Sequence, residues 1–89
     1  KKALAIKPEM VPAWTNLASV LVELEEYDDA VEAAQKAVSL APTFGLAHNN
    51  LAVALYYKGM VKEAKEHAEK AKELGYPVHP DFLEKLNGS

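Results

Sequence analysis

Eighty-nine residues, 49% of them apolar and 15 of them alanine, make one small domain whose core is built from small side chains. Ten lysines and no arginine against 13 acids leave a net charge of −3, which argues against a nucleic-acid binder. No apolar run is long enough for a membrane-inserted helix, and the absence of cysteine excludes disulfides, thiolate zinc sites and cysteine nucleophiles.

In chain order, Ala3, Leu4 and Ile6 open a short helical segment at about 1–7. Trp14, Leu17, Ala18 and Leu21 follow i, i+3, i+4, i+7, which predicts a helix over about 10–25 with one apolar stripe. The acid-rich break Glu25-Glu26-Tyr27-Asp28-Asp29 comes next, with Asp28 or Asp29 expected to cap the following helix. Ala30, Ala34 and Ala37 then mark a helix over about 28–41 whose small-residue face admits a close neighbour. Pro42 stops it. His48, Leu51, Ala52 and Leu55 predict a helix over about 44–58, ended by Gly59 in the left-handed conformation. Ala64, Ala68 and Ala71 predict another over about 61–75, with Pro77 as its stop. A last helix spans about 79–87, with Pro80 in its first turn and His79 as a turn residue before it.

These elements repeat. Pro8 and Pro42 lie 34 residues apart, and the same interval relates Ala30, Ala34 and Ala37 to Ala64, Ala68 and Ala71. Trp14, Asn16, Leu17, Ala18 and Leu21 return as His48, Asn50, Leu51, Ala52 and Leu55. The spacing of Trp14, Leu17, Ala18, Leu21, Ala30, Ala37 and Pro42 resembles a tetratricopeptide repeat, and Leu51, Ala52, Leu55, Gly59, Ala64 and Ala71 resemble a second. His48 departs from the pattern by replacing the aromatic, and Pro77 comes one residue late.

The resemblance implies an all-α fold, a right-handed α-solenoid of antiparallel helix pairs with a C-terminal capping helix. The expected division is the end of a preceding repeat at 1–10, repeats at 11–44 and 45–78, and a capping helix and tail at 79–89. Val31 and Val38 of the first unit become Lys65 and Lys72 in the second, so the last repeat face is expected to meet solvent and the array to end there. Phe82, Leu83 and Leu86 are expected to fold back as the cap. At the other end, Ala3, Leu4 and Ile6 form half a repeat, so the parent protein is expected to carry a further helix before Lys1.

Little in the chain converges for catalysis. Phosphate-binding glycine runs, serine-nucleophile motifs and zinc-binding His-Glu-x-x-His are absent from the sequence, and no cofactor or metal is expected. His48, His67 and His79 never fall four apart on one helix. His48 is expected at an inter-helix contact, and His67 as a partly exposed residue near Glu63. The acids between Glu23 and Glu32 suit either a basic partner or the N-terminal dipole of the second helix, the latter being favoured.

Spacing alone puts Pro12, Thr15, Ser19 and Val22 on one helix face, and Leu46, Asn49, Val53 and Tyr56 on another. The resemblance implies that these faces line a concave groove, with Asn16, Glu23, Asn50 and Tyr57 beside them. The groove lacks the basic groups that would clamp a terminal carboxylate. Asn16 and Asn50 suit a row that holds the backbone of an extended peptide, or else bond within their own repeats. The function implied is a non-catalytic scaffold binding an extended segment of a protein or peptide partner. Alternatives are a self-assembly module, with a homo-oligomer formed through the truncated N-terminal end, and the targeting arm of a larger enzyme. The composition fits a cytoplasmic protein, and a periplasmic one equally.

Overall fold

The computed structural model describes residues 11–88, so the expected helix at 1–7 lies outside the described residues. Within them are five helices and no strand: α1 (Val11–Glu23), α2 (Tyr27–Leu40), α3 (Gly45–Lys58), α4 (Val61–Glu73) and α5 (Pro80–Asn87). Short connections fold α1 against α2 and α3 against α4, and the two pairs meet where α2 and α1 contact α3. This is the helical solenoid that the resemblance implied.

Position in the stack decides how much of each helix is apolar. Helix α3 touches α1, α2 and α4, and its residues Ala47, His48, Leu51, Ala52, Ala54 and Leu55 are all buried. Helix α4 has fewer neighbours. It buries only the stripe Ala64, Ala68 and Ala71, and apart from Val61 and His67 the rest is lysine and glutamate. Val31 is buried and Val38 half-buried because α2 packs on α3; on α4 Lys72, at the place of Val38, is exposed as expected, whereas Lys65, at the place of Val31, is half-buried. The alanine stripes of α2 and α4 are wholly enclosed, so the helices approach without large side chains between them.

Both pairs turn through the same backbone geometry. The N–H groups of Gly59 and Met60 donate to the carbonyls of Tyr56 and Leu55, at 3.0 and 2.8 Å, with Gly59 at φ 98°. Thirty-four residues earlier, Glu25 and Glu26 donate to Val22 and Leu21 at 3.0 and 2.8 Å, and Glu25 takes φ 64°. Glycine enters this left-handed region freely; for glutamate it is strained. Gly45 meets another constraint. A Cβ there would lie 2.8 Å from the Tyr76 Cβ, so the start of α3 seats against the chain leaving α4 only as glycine.

Two expectations about helix ends are corrected. Asp28 and Asp29 lie inside the first turn of α2, where Glu26 is the N-cap and no side chain caps the helix. They act through the helix dipole, and Asp28 also pairs with Lys58 at 2.9 Å. Helix α4 ends at Glu73, with Gly75 at φ 92°, so its stop precedes Pro77. Helix α5 starts as expected, with Pro80 in its first turn, and His79 is its cap, its Nδ1 accepting from the Asp81 N–H at 3.1 Å. Leu86 is 1% exposed within the core, and Phe82 and Leu83 pack beside it.

Candidate functional site

Where α1 and α3 lie side by side, Ser19, Val22, Glu23, Asn49, Asn50, Val53 and Tyr57 line an open cleft of about 320 Å³. Helical periodicity supplies the first wall from one face of α1 and the second from one face of α3. Seven of the residues expected at a groove meet there: Ser19, Val22, Glu23, Asn49, Asn50, Val53 and Tyr57. Tyr57 is 48% exposed.

The remaining expected residues lie elsewhere. Thr15 is 1% exposed: its hydroxyl donates to the Pro12 carbonyl at 2.8 Å, so a locally satisfied side chain is enclosed between the pairs. Pro12 and Asn16 are exposed beyond the cleft. Leu46 borders a separate cleft with Phe44, Leu74 and Tyr76 at the opposite end of α3. Tyr56 turns toward α5, edge-on to Phe82 with ring centroids 5.7 Å apart, and packs on the core. It is held by the fold and does not border the cleft, which differs from the expectation that it served the groove.

Asn50 bonds neither within its own helix pair nor solely outward. Its Nδ2 donates to the Thr15 carbonyl at 2.9 Å, bracing α3 against α1 from across the pair boundary. Tyr57 is braced as well. It stacks on Tyr27 of α2, with centroids 5.4 Å apart and planes 13° apart, and meets Tyr56 edge-on at 5.3 Å. The cleft therefore has one wall fixed by a hydrogen bond and one rim fixed by aromatic packing.

Two other hollows lie elsewhere on the described residues. Trp14, Leu17, Leu21, Ala33, Asp29, Glu32 and Lys36 border an apolar hollow of about 330 Å³. The buried Trp14 Nε1 there has no hydrogen-bond partner among the described residues. Helices α2 and α4 border a hollow of about 430 Å³ that carries Asp28, Asp29, Glu32, Glu63 and His67.

Beside that hollow lies a contact which histidine spacing alone does not reveal. His48 is 5% exposed, as an inter-helix residue should be, and its Nδ1 lies 3.1 Å from the Nδ1 of His67. The ring centroids are 5.3 Å apart, and the excess over the Nδ1 separation is what two ring radii occupy. The rings thus meet edge to edge in an in-plane hydrogen bond. His48 Nε2 lies 2.8 Å from the Pro42 carbonyl, which can only accept, so His48 carries its proton on Nε2. His67 must then donate from Nδ1. Burial, followed by the proximity of His48, pushes the His67 pKa below its ordinary value, while Glu66 and Glu63 oppose the shift. The signal available in the sequence was the repeat itself: His48 and His67 stand 34 residues after Trp14 and Ala33.

Among the described residues no cluster of three or more histidine, aspartate or glutamate side chains could hold a metal ion. No described helix is long and apolar enough to cross a membrane. The family model described as tetratricopeptide repeat matches residues 9–76, most of the chain.

Proposed function

The chain belongs to the tetratricopeptide repeat family, and from that premise we propose that it binds an extended segment of a partner protein along its concave face. Repeats of this family generally mediate protein–protein interaction, and the family is typically a non-catalytic interaction module. The observation that carries the reading is the cleft between α1 and α3. It offers Val22 and Val53 for apolar contact, Ser19 and Asn49 for a peptide backbone, and a fixed aromatic rim at Tyr57. In this reading the repeats run over 11–44 and 45–78, with 79–89 as the cap.

The test is a screen of random peptides displayed on phage, with the hits mapped onto the isotope-labelled protein by chemical-shift titration. Shifts centred on Ser19, Val22, Asn49, Val53 and Tyr57 are expected. Hits that move only residues of the Trp14 hollow or of the hollow between α2 and α4 overturn the reading.

A second reading rests on the apolar hollow at Trp14, Leu17 and Leu21, which another copy of the chain could cover. Light scattering over a range of concentrations separates the two. A constant monomer mass removes self-assembly, and a dimer that Leu17→Lys abolishes supports it.

A further inference from the structure

We propose that the concave cleft selects a partner segment carrying arginine, with the guanidinium laid against the Tyr57 ring and its N–H groups on the Glu23 carboxylate. This rests on the reading of that cleft as the binding face. Glu23 is the one charged side chain in the lining, and it has no ion-pair partner among the described residues. It is the last residue of α1, at the negative end of the helix dipole, and no basic residue lies in the final turn. Glu25 and Glu26 continue the same sign beyond the helix end.

Two described lysines are committed elsewhere. Lys58, on the same helix as Tyr57, is held by Asp28 at 2.9 Å, and Lys36 lies over the Trp14 ring, 5.9 Å from its centroid. Asn50 commits an N–H to the Thr15 carbonyl, so its Oδ1 is the group left to offer. The cleft accordingly presents acceptors, a carboxylate and a half-exposed aromatic ring, and lacks a cationic donor. A planar guanidinium satisfies all three at once, because it stacks on a ring and forks onto a carboxylate in one plane. Lysine is a point charge and matches the ring less well. Val22 and Val53 border the cleft and suit aliphatic residues beside the arginine. The chain contains no arginine of its own to compete.

The probes are the peptide acetyl-Gly-Val-Arg-Val-Gly-amide and the same peptide with citrulline replacing arginine, which keeps the shape and removes the charge. Each is titrated into the whole chain at low ionic strength and followed by chemical shifts. Tighter binding of the arginine peptide by about fivefold is expected, with the preference lost in Glu23→Gln and reduced in Tyr57→Leu. Equal binding of both peptides in the cleft overturns the selection and leaves the binding face intact. Shifts confined to Asp28, Asp29 and Glu32 place the cation in the hollow between α2 and α4 and overturn the proposal. If neither peptide moves a cleft resonance, the proposal and the reading beneath it both fail.

Discussion

In the first helix pair, Trp14 on α1 and Ala33 on α2 border the same hollow, a large ring paired with a methyl group. Thirty-four residues on, the second pair puts His48 and His67 at these two positions and joins them by a hydrogen bond. The first solution buries apolar area but leaves the indole N–H without a described partner. The second gives up hydrophobic area, and its polar atoms find partners in each other and in the Pro42 carbonyl. One backbone arrangement therefore admits two chemistries at its central contact, provided that volume and hydrogen bonding are settled together.

Burial extends the comparison. Leu51 is 2% exposed because α3 lies between neighbours, whereas its counterpart Leu17 is half-buried. Leu51→Ala is expected to cost about 2–5 kcal/mol and Leu17→Ala less than half of that, read from urea midpoints. Equal costs would mean that the two pairs are equally enclosed in solution.

Exchanging the central contacts gives the next largest effect. His67→Ala leaves the buried His48 Nδ1 without its donor, at about 1–3 kcal/mol. His48→Trp alone overfills the site, at a similar cost of about 1–3 kcal/mol. Together they recreate the Trp14–Ala33 solution, and the double variant is expected to be more stable than the sum of the singles predicts. Strict additivity in that cycle would show that the two positions do not share one contact.

A smaller effect separates the turns. Glu25→Gly relieves a left-handed residue that costs about 1–2 kcal/mol, against an added unfolded-state entropy of about 0.4–1 kcal/mol. A net gain below about 1 kcal/mol is expected, and a loss of similar size for Gly59→Ala.

The smallest effect is a pH dependence confined to the second pair. The depressed pKa of His67 means that the unfolded chain binds this proton more readily than the folded one. The contribution is complete above the ordinary histidine value of about 6.5, and it is lost as the pH falls through the lower folded value. Melting curves should show this slope in the parent and not in the His48→Trp, His67→Ala double variant.

The helices and their pairing were legible because apolar spacing is local and the 34-residue interval repeats it. The cleft was legible in part. Thr15 reads as a surface residue by type, yet its hydroxyl is satisfied by Pro12 three residues away, which lets it be enclosed. Tyr56 and Tyr57 are adjacent in sequence and about 100° apart around the helix. Only the return of α5 fixes which of them packs and which faces the cleft. Asn50 finds its partner 35 residues away, beyond any local pattern. The left-handed turn at Glu25 has no local marker, although its counterpart Gly59 does.

The Tyr27–Tyr57 stack ties α2 of one pair to α3 of the next. Two phenol rings held nearly parallel at 5.4 Å couple their electronic transitions, so the near-ultraviolet circular dichroism of tyrosine becomes an optical gauge of stacking between the pairs. The single tryptophan sits in the other hollow, and its fluorescence reports there. The molecule carries a tyrosine cluster and a single tryptophan at two separate places, and light alone can show which gives way first.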